Sequence, residues 1–379
     1  MQQVNRFGRY VLPGLAFKAV VIGGGYATGR EIATFFLPSG AIGGLYGLLV
    51  STVVWSVLCA VTFSFALQTR TLDYRSFFCA LLGPFWRIYE IAYFLALLVL
   101  LAVFAAAAGA IVHAVLAWPP ITGTFLLMSL IVLFAAYGND SVERLFKYVS
   151  FLLYGTYALF VVLSFVNFGD RITNAFANGT VTGHWASEGM TYAGYNIIGA
   201  IVVLPVTRHL KGRKDALIAG LVAGPLAAFP AILFFICMSG YATAIREQVL
   251  PSDFMLERLH FPAFRILFQA MVFAALLESG TGGVHAINQR IAHAYQTSRG
   301  RELSRVLRVG ITIAFLFVSV FVATQFGLVA LIANGYRWLA YTFILIYVLP
   351  IMTLGIWRLF HEDKSAADRT SSADAPKVL

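Results

Sequence analysis

Ile22-Gly23-Gly24-Gly25-Tyr26-Ala27-Thr28-Gly29-Arg30-Glu31 lies inside the first long apolar stretch of the chain, residues 11–37. Three consecutive glycines cost a helix roughly 1 kcal/mol each against alanine. Small residues spaced by four would read as a packing face for a neighbouring helix, and close packing is the plain alternative here too. Contiguous glycines point instead to a break in a membrane-spanning helix. Unwound backbone at that depth is tolerated only where it lines a cavity or is covered by protein. The stretch therefore predicts a hinge whose free N–H and C=O groups face a solute or an ion. Gly24 and Gly29 also have the spacing of a phosphate-binding loop. Arg30-Glu31 replaces the Lys-Ser/Thr pair of such a loop, however, and no soluble strand precedes it.

The rest of the chain has the composition of an integral membrane protein. It is 60% hydrophobic, only 12% charged, and has a mean hydropathy of +0.81; a soluble domain carries about twice that charged fraction. The formal net charge of +10 does not mark a nucleic-acid binder. Its basic residues sit in short connectors between apolar runs rather than on one face of a soluble domain. Cys59, Cys79 and Cys237 lie in or beside apolar runs without paired spacing, so they read as free thiols. Pro13, Gly14 and Lys18 interrupt any short signal-peptide core, and the first apolar stretch reads as a span.

Hydropathy predicts spans over residues 11–37, 41–69, 84–117, 121–138 and 145–167, then a polar segment over 168–187. A second set follows over 188–209, 215–241, 264–297, 303–326 and 337–360, and a tail over 361–379 whose composition predicts disorder. Arg6, Arg9, Arg70, Arg75, Arg144, Lys147, Lys211, Arg213, Lys214 and the arginines from Arg299 to Arg308 fall on one side. That side is cytoplasmic by the positive-inside rule, which puts both termini inside and requires an even number of spans. The prediction is an all-α, ten-span plasma-membrane protein of the bacterial inner-membrane type. Its two halves, 1–170 and 171–360, hold five spans each, so the second must insert inverted. The third and eighth spans are the longest, and the first and sixth are both interrupted, as inverted repeats require.

In the sixth span, Tyr192-Ala193-Gly194-Tyr195-Asn196 places two phenols and an amide at depth, where polar groups need partners. An ordinary kinked helix is the alternative. In the eighth, Glu278-Ser279-Gly280-Thr281 sits near mid-span, and charges inside spans are functional hypotheses by default. Glu278 could couple to a cation or pair with Arg30 or a tyrosine. His285, seven residues on, shares its face. Ser279 and Thr281 offer hydroxyls to a hard cation such as sodium, together with carbonyls near Gly23. Arg30 and Glu31, just past the first break, suit a gate or an internal salt bridge.

At these motifs the chain resembles the YkvI-type membrane proteins, within the amino acid–polyamine–organocation (LeuT-fold) superfamily. The resemblance rests mainly on residues 22–31, where the family shows a small-residue run, an aromatic, a small-hydroxyl-glycine triplet and Gln-Glu. Arg30 replaces that glutamine. Tyr192 to Asn196 and the Glu278 segment also look similar. The resemblance implies the five-plus-five inverted fold, with substrate between the broken first and sixth helices and a sodium site between the first and eighth.

The expectation is a cation-coupled transporter of a small polar organic solute, an amino acid or amine, working by alternating access in the lipid bilayer. Gly23, Gly24, Gly25, Tyr26, Tyr192, Gly194, Tyr195 and Asn196 would hold the solute. Half-helix ends would take a carboxylate and the tyrosines an ammonium group. Sodium and proton both stay open as the coupling ion. A channel needs a continuous polar path, which the few intramembrane charges argue against. An enzyme or sensor would need a constellation that the sequence lacks. Nothing in the sequence sets the oligomeric state.

Overall fold

The computed structural model describes residues 6–137, 139–301 and 304–361, and among them every regular element is helical. The first apolar stretch does not form one helix. After a lead-in helix α1 (Arg6–Tyr10) it gives α2 (Leu12–Val21), the single turn α3 (Gly24–Ala27) and α4 (Arg30–Phe35). Then come α5 (Gly40–Thr69), the short α6 (Tyr74–Leu82), α7 (Trp86–Leu116), α8 (Pro120–Tyr137) and α9 (Asn139–Ala177). The second half repeats that order. α10 (Trp185–Asn196) runs on into α11 (Ile198–Val202), and α12 (Arg213–Ser239) follows. Two short helices, α13 (Ala242–Ile245) and α14 (Pro251–Arg258), lead to α15 (Pro262–Arg299) and α16 (Arg305–Ala330). α17 (Tyr336–Phe343) is flanked by π-helical turns at Leu331–Gly335, Ile344–Val348 and Ile351–Gly355. Among the described residues six segments are long and apolar enough to cross a bilayer, and α2 and most of α8 are shorter apolar helices.

Local chemistry sets the ends. Asp73 caps α6 by accepting from the Ser76 N–H at 2.9 Å, and Ser304 caps α16 through the Leu307 N–H. Gly300, with φ +65°, ends α15 in the left-handed conformation. Most predicted spans match these helices to within a few residues. The fifth does not: α9 continues through Ala177, ten residues into the predicted polar segment. The reason is Phe168 and Ile172, four apart and both buried, with the Phe168 ring 5.1 Å from Tyr241. The tail 362–379 lies outside the described residues.

Two groups of helices make the core. In one, α2, α5, α10 and α12 pack together. A Cβ on Gly220 would fall 2.2 Å from the Ala60 backbone, and one on Gly224 2.3 Å from the Thr52 carbonyl. The α5–α12 approach therefore requires glycine at both places. In the other group α7 packs with α8, α15 and α16. Val166, Phe317 and Trp338 point outward, more than two-thirds exposed, as lipid-facing side chains do.

Candidate functional site

The first span breaks twice. Ile22 and Gly23 leave the helical region, Gly23 at φ −90° and ψ −177°, and Gly29 turns left-handed at φ +77°. Thr28 stitches the segment between them: its hydroxyl donates to the Gly25 carbonyl at 2.7 Å and accepts from the Arg30 N–H at 3.2 Å. Freed backbone groups at this depth need such partners. The break at Gly23 matches the glycine run. The one at Gly29 lies outside that run; its sequence signal is a glycine after a short apolar turn, the usual mark of a left-handed helix end.

Past the second break the chain folds back on itself through Glu31 of α4. Its buried carboxylate accepts the Tyr195 hydroxyl at 2.5 Å. A Cβ on Gly25 would lie 2.5 Å from Glu31 Oε1 and 3.3 Å from the Tyr336 hydroxyl. Glycine at 25 is thus what lets the carboxylate and two phenols close around the unwound backbone. The Tyr195 ring lies 4.5 Å from that of Tyr336 and 5.8 Å from that of Phe35. Tyr336 was not anticipated; its one sequence signal is its place after Asn334-Gly335 in an otherwise apolar run.

Arg30 goes elsewhere. Its guanidinium donates to the Arg246 and Gln248 carbonyls at 3.0 and 2.7 Å, and its Nε to Thr34, so it pins the connector after α13. It pairs with neither Glu31 nor Glu278. Tyr26 is committed to the Tyr157 hydroxyl at 2.9 Å. Tyr192 packs among Phe36 and Trp55, and its buried hydroxyl has no partner among the described residues. Asn196 donates back to the Tyr192 carbonyl. Gly194 serves packing: a Cβ there would meet Ile344 and Ala340 at 3.1 to 3.3 Å. The sixth span is interrupted less than its sequence suggests, since Ile197, between α10 and α11, keeps helical dihedrals.

On α15, Ser279 faces the first break, its Oγ 3.7 Å from where a Cβ on Gly23 would stand. Thr281 does not join it. At about 100° per residue the two stand about 200° apart around the helix, so one ion at Gly23 cannot take both hydroxyls. Thr281 is fully buried instead, with no partner for its hydroxyl among the described residues. Glu278 is half-buried and within electrostatic reach of Tyr154, whose ring lies under the Lys18 ammonium at 4.2 Å. His285 bonds Gln289 one turn on, at 2.8 Å.

Ion pairs sit at both ends of this region. Toward α10 and α17, one Arg337 nitrogen reaches both Glu188 carboxylate oxygens at 3.0 Å, and the guanidinium lies 5.9 Å from the Phe35 ring. At the opposite end Arg9 donates to Asp215 at 3.2 Å, tying the lead-in helix α1 to α12. The Lys211 N–H also donates to the Asp215 carboxylate, at 3.1 Å.

No family model matches the chain, and no curated protein matches it in sequence. Solved structures do match in shape. MhsT in complex with L-phenylalanine superposes with a TM-score of 0.62 at 17% identity, covering 92% of this chain and 87% of that one. The fold is LeuT-like. Mhp1 in an inward-facing conformation gives 0.57 at 14% identity, covering 90% and 76%. The Eremococcus coleocola manganese transporter gives 0.52 at 14%, covering 91% and 78%. At such identities the likeness carries the LeuT-like arrangement and no residue role.

Proposed function

We propose that this chain is a cation-coupled secondary transporter of a small amine or amino acid, working by alternating access through ten spans in two inverted halves. The observation that carries the reading is the Glu31 carboxylate closed against Gly25 with the hydroxyls of Tyr195 and Tyr336. A buried carboxylate flanked by aromatic rings suits a solute ammonium group or the coupling cation itself. The unwound N–H groups at Gly23 and Gly24 suit a carboxylate. Ser279 with carbonyls near Gly23 offers oxygen ligands to sodium, and a proton carried on Glu31 or Glu278 is the other coupling route.

Three features support the transport cycle. Short helices α6 and α14 occupy corresponding places in the two halves, as a duplication would leave them. Phe35, Tyr192, Tyr195 and Tyr336 close the centre on the Arg337 side, which suits an alternately closed path better than an open conduit. Solved LeuT-fold neighbours include a manganese transporter. The broader kinship offered here is with the YkvI-type proteins, on the motif at residues 22–31.

The test is a thermal-stability screen of the purified protein against amino acids and simple amines, with and without sodium. A ligand that binds the folded state alone stabilises it by mass action. The reading expects stabilisation by at least one amine-bearing solute, abolished in Glu31→Gln. Equal stabilisation of both proteins would move the site away from the break.

A further inference from the structure

Arg290 stands on α15 on the same face as Ser279, Gly283 and Ala286; the steps of four, three and four residues keep one stripe in line. Gly283 meets only the Leu97 side chain, at 3.4 Å, and Gly282 beside it has nothing within 4 Å of its Cβ position. The stripe thus runs over small residues from the first break to a cavity of about 360 Å³ into which α15 presents Arg290. Tyr74 and Tyr93, Ile201 and Val202 of α11, and Asp73 line the rest. This is the end of the molecule that the positive-inside rule assigns to the cytoplasm.

The guanidinium is held but not neutralised. It lies 3.4 Å from the Tyr93 ring centre and 3.7 Å from that of Tyr74. Its Nη1 is buried with no hydrogen-bond partner, and no carboxylate among the described residues lies within ion-pair distance. Asp73 of the cavity wall and Glu90 beside Tyr74 are engaged elsewhere. Asp73 accepts both the N–H and the hydroxyl of Ser76, and Glu90 accepts the Tyr74 hydroxyl. A buried guanidinium donor without an acceptor is costly unless something supplies one. With two rings this close to its central carbon, the guanidinium suits an in-plane, two-oxygen acceptor at the edge of its fork.

We propose that this cavity is a second binding site, for a small carboxylate, on the cytoplasmic side of the break, with Arg290 as its anchor. The cavity is at the small end of the range for small-molecule sites. Resting on the transport reading, the site receives the carboxylate of a solute leaving the centre along the α15 stripe. Its substrate class is then a carboxylate-bearing amine, not a simple amine.

The test needs binding alone. Val202→Cys, in purified full-length protein, is labelled with a thiol reagent in acetate, in acetamide or in chloride at equal ionic strength. Acetate at twice its dissociation constant is expected to slow labelling about threefold, with acetamide and chloride without effect. Adding Arg290→Gln abolishes the protection, and Arg290→Lys keeps part of it. Equal protection by acetamide, none by acetate, or protection that survives Arg290→Gln overturns the proposal. If Arg290→Gln does not fold, the comparison of acetate with acetamide in the Val202→Cys protein still decides. Acetate protection in a protein that moves no solute would sink the transport reading and leave this site standing.

Discussion

Gly25 and Glu31 show how one residue's lack of a side chain creates another's chemistry. Alanine at 25 would favour a helix by about 1 kcal/mol, yet its methyl would occupy the place of the Glu31 carboxylate. Gly25→Ala is therefore expected to insert and fold, and to weaken solute binding at least tenfold, about 1.4 kcal/mol. Unchanged affinity in the stability screen would return these glycines to simple packing. Glu278 belongs to the same scale. Glu278→Gln keeps size and removes charge, and the expectation is lost gradient-driven accumulation with exchange of solute retained. Full accumulation by that variant would make Glu278 a structural partner of Tyr154. Part of this was legible beforehand. A glycine triplet at mid-span announces a break, and an acid at mid-span announces chemistry. The fold-back of Glu31 onto Gly25 was not, because it depends on the left-handed turn at Gly29. The separation of Ser279 from Thr281 runs against the shared cation site expected from the sequence, because the helical angle places them on different faces.

At the level of elements, two ion pairs hold opposite ends of the broken helices. Arg337 ties α17 to α10 near Phe35, and Asp215 ties α12 to the lead-in of α2. Partly exposed pairs of this kind contribute about 1 kcal/mol each. Arg337→Ala should raise the reactivity of a cysteine at Phe35 toward an external reagent about fivefold, and Asp215→Asn that of a cysteine at Ile201 toward one from the other side. The reverse pattern, or no change at either reporter, would remove both pairs from the gating account. Element boundaries followed from hydropathy, except where buried Phe168 and Ile172 prolong α9 and where Gly327, at φ +70°, kinks α16. A lone glycine near the end of an apolar run carries too weak a signal to forecast that kink.

Over the whole molecule, inverted halves make a topological prediction. Single cysteines at Thr182 and Glu257 should react with an impermeant reagent from outside sealed cells, and one at Lys214 should not. Pro251, at the start of α14 in the same connector as Glu257, is buried and unsuitable. Outside labelling at position 214 would break the inverted arrangement. Fold class was readable from composition and period because lipid demands long, self-satisfied helices. The solute was not, since the residues proposed to hold it meet only when α3, α4, α10 and α17 pack. The central claim is that solute movement is driven through the carboxylate at the first break. Its most direct measurement is uptake, by proteoliposomes at matched incorporation, of the solute found in the stability screen, under an imposed sodium or proton gradient. Wild type should concentrate that solute against its own gradient, and Glu31→Gln should neither concentrate nor exchange it. Full concentrative uptake by Glu31→Gln would contradict the account.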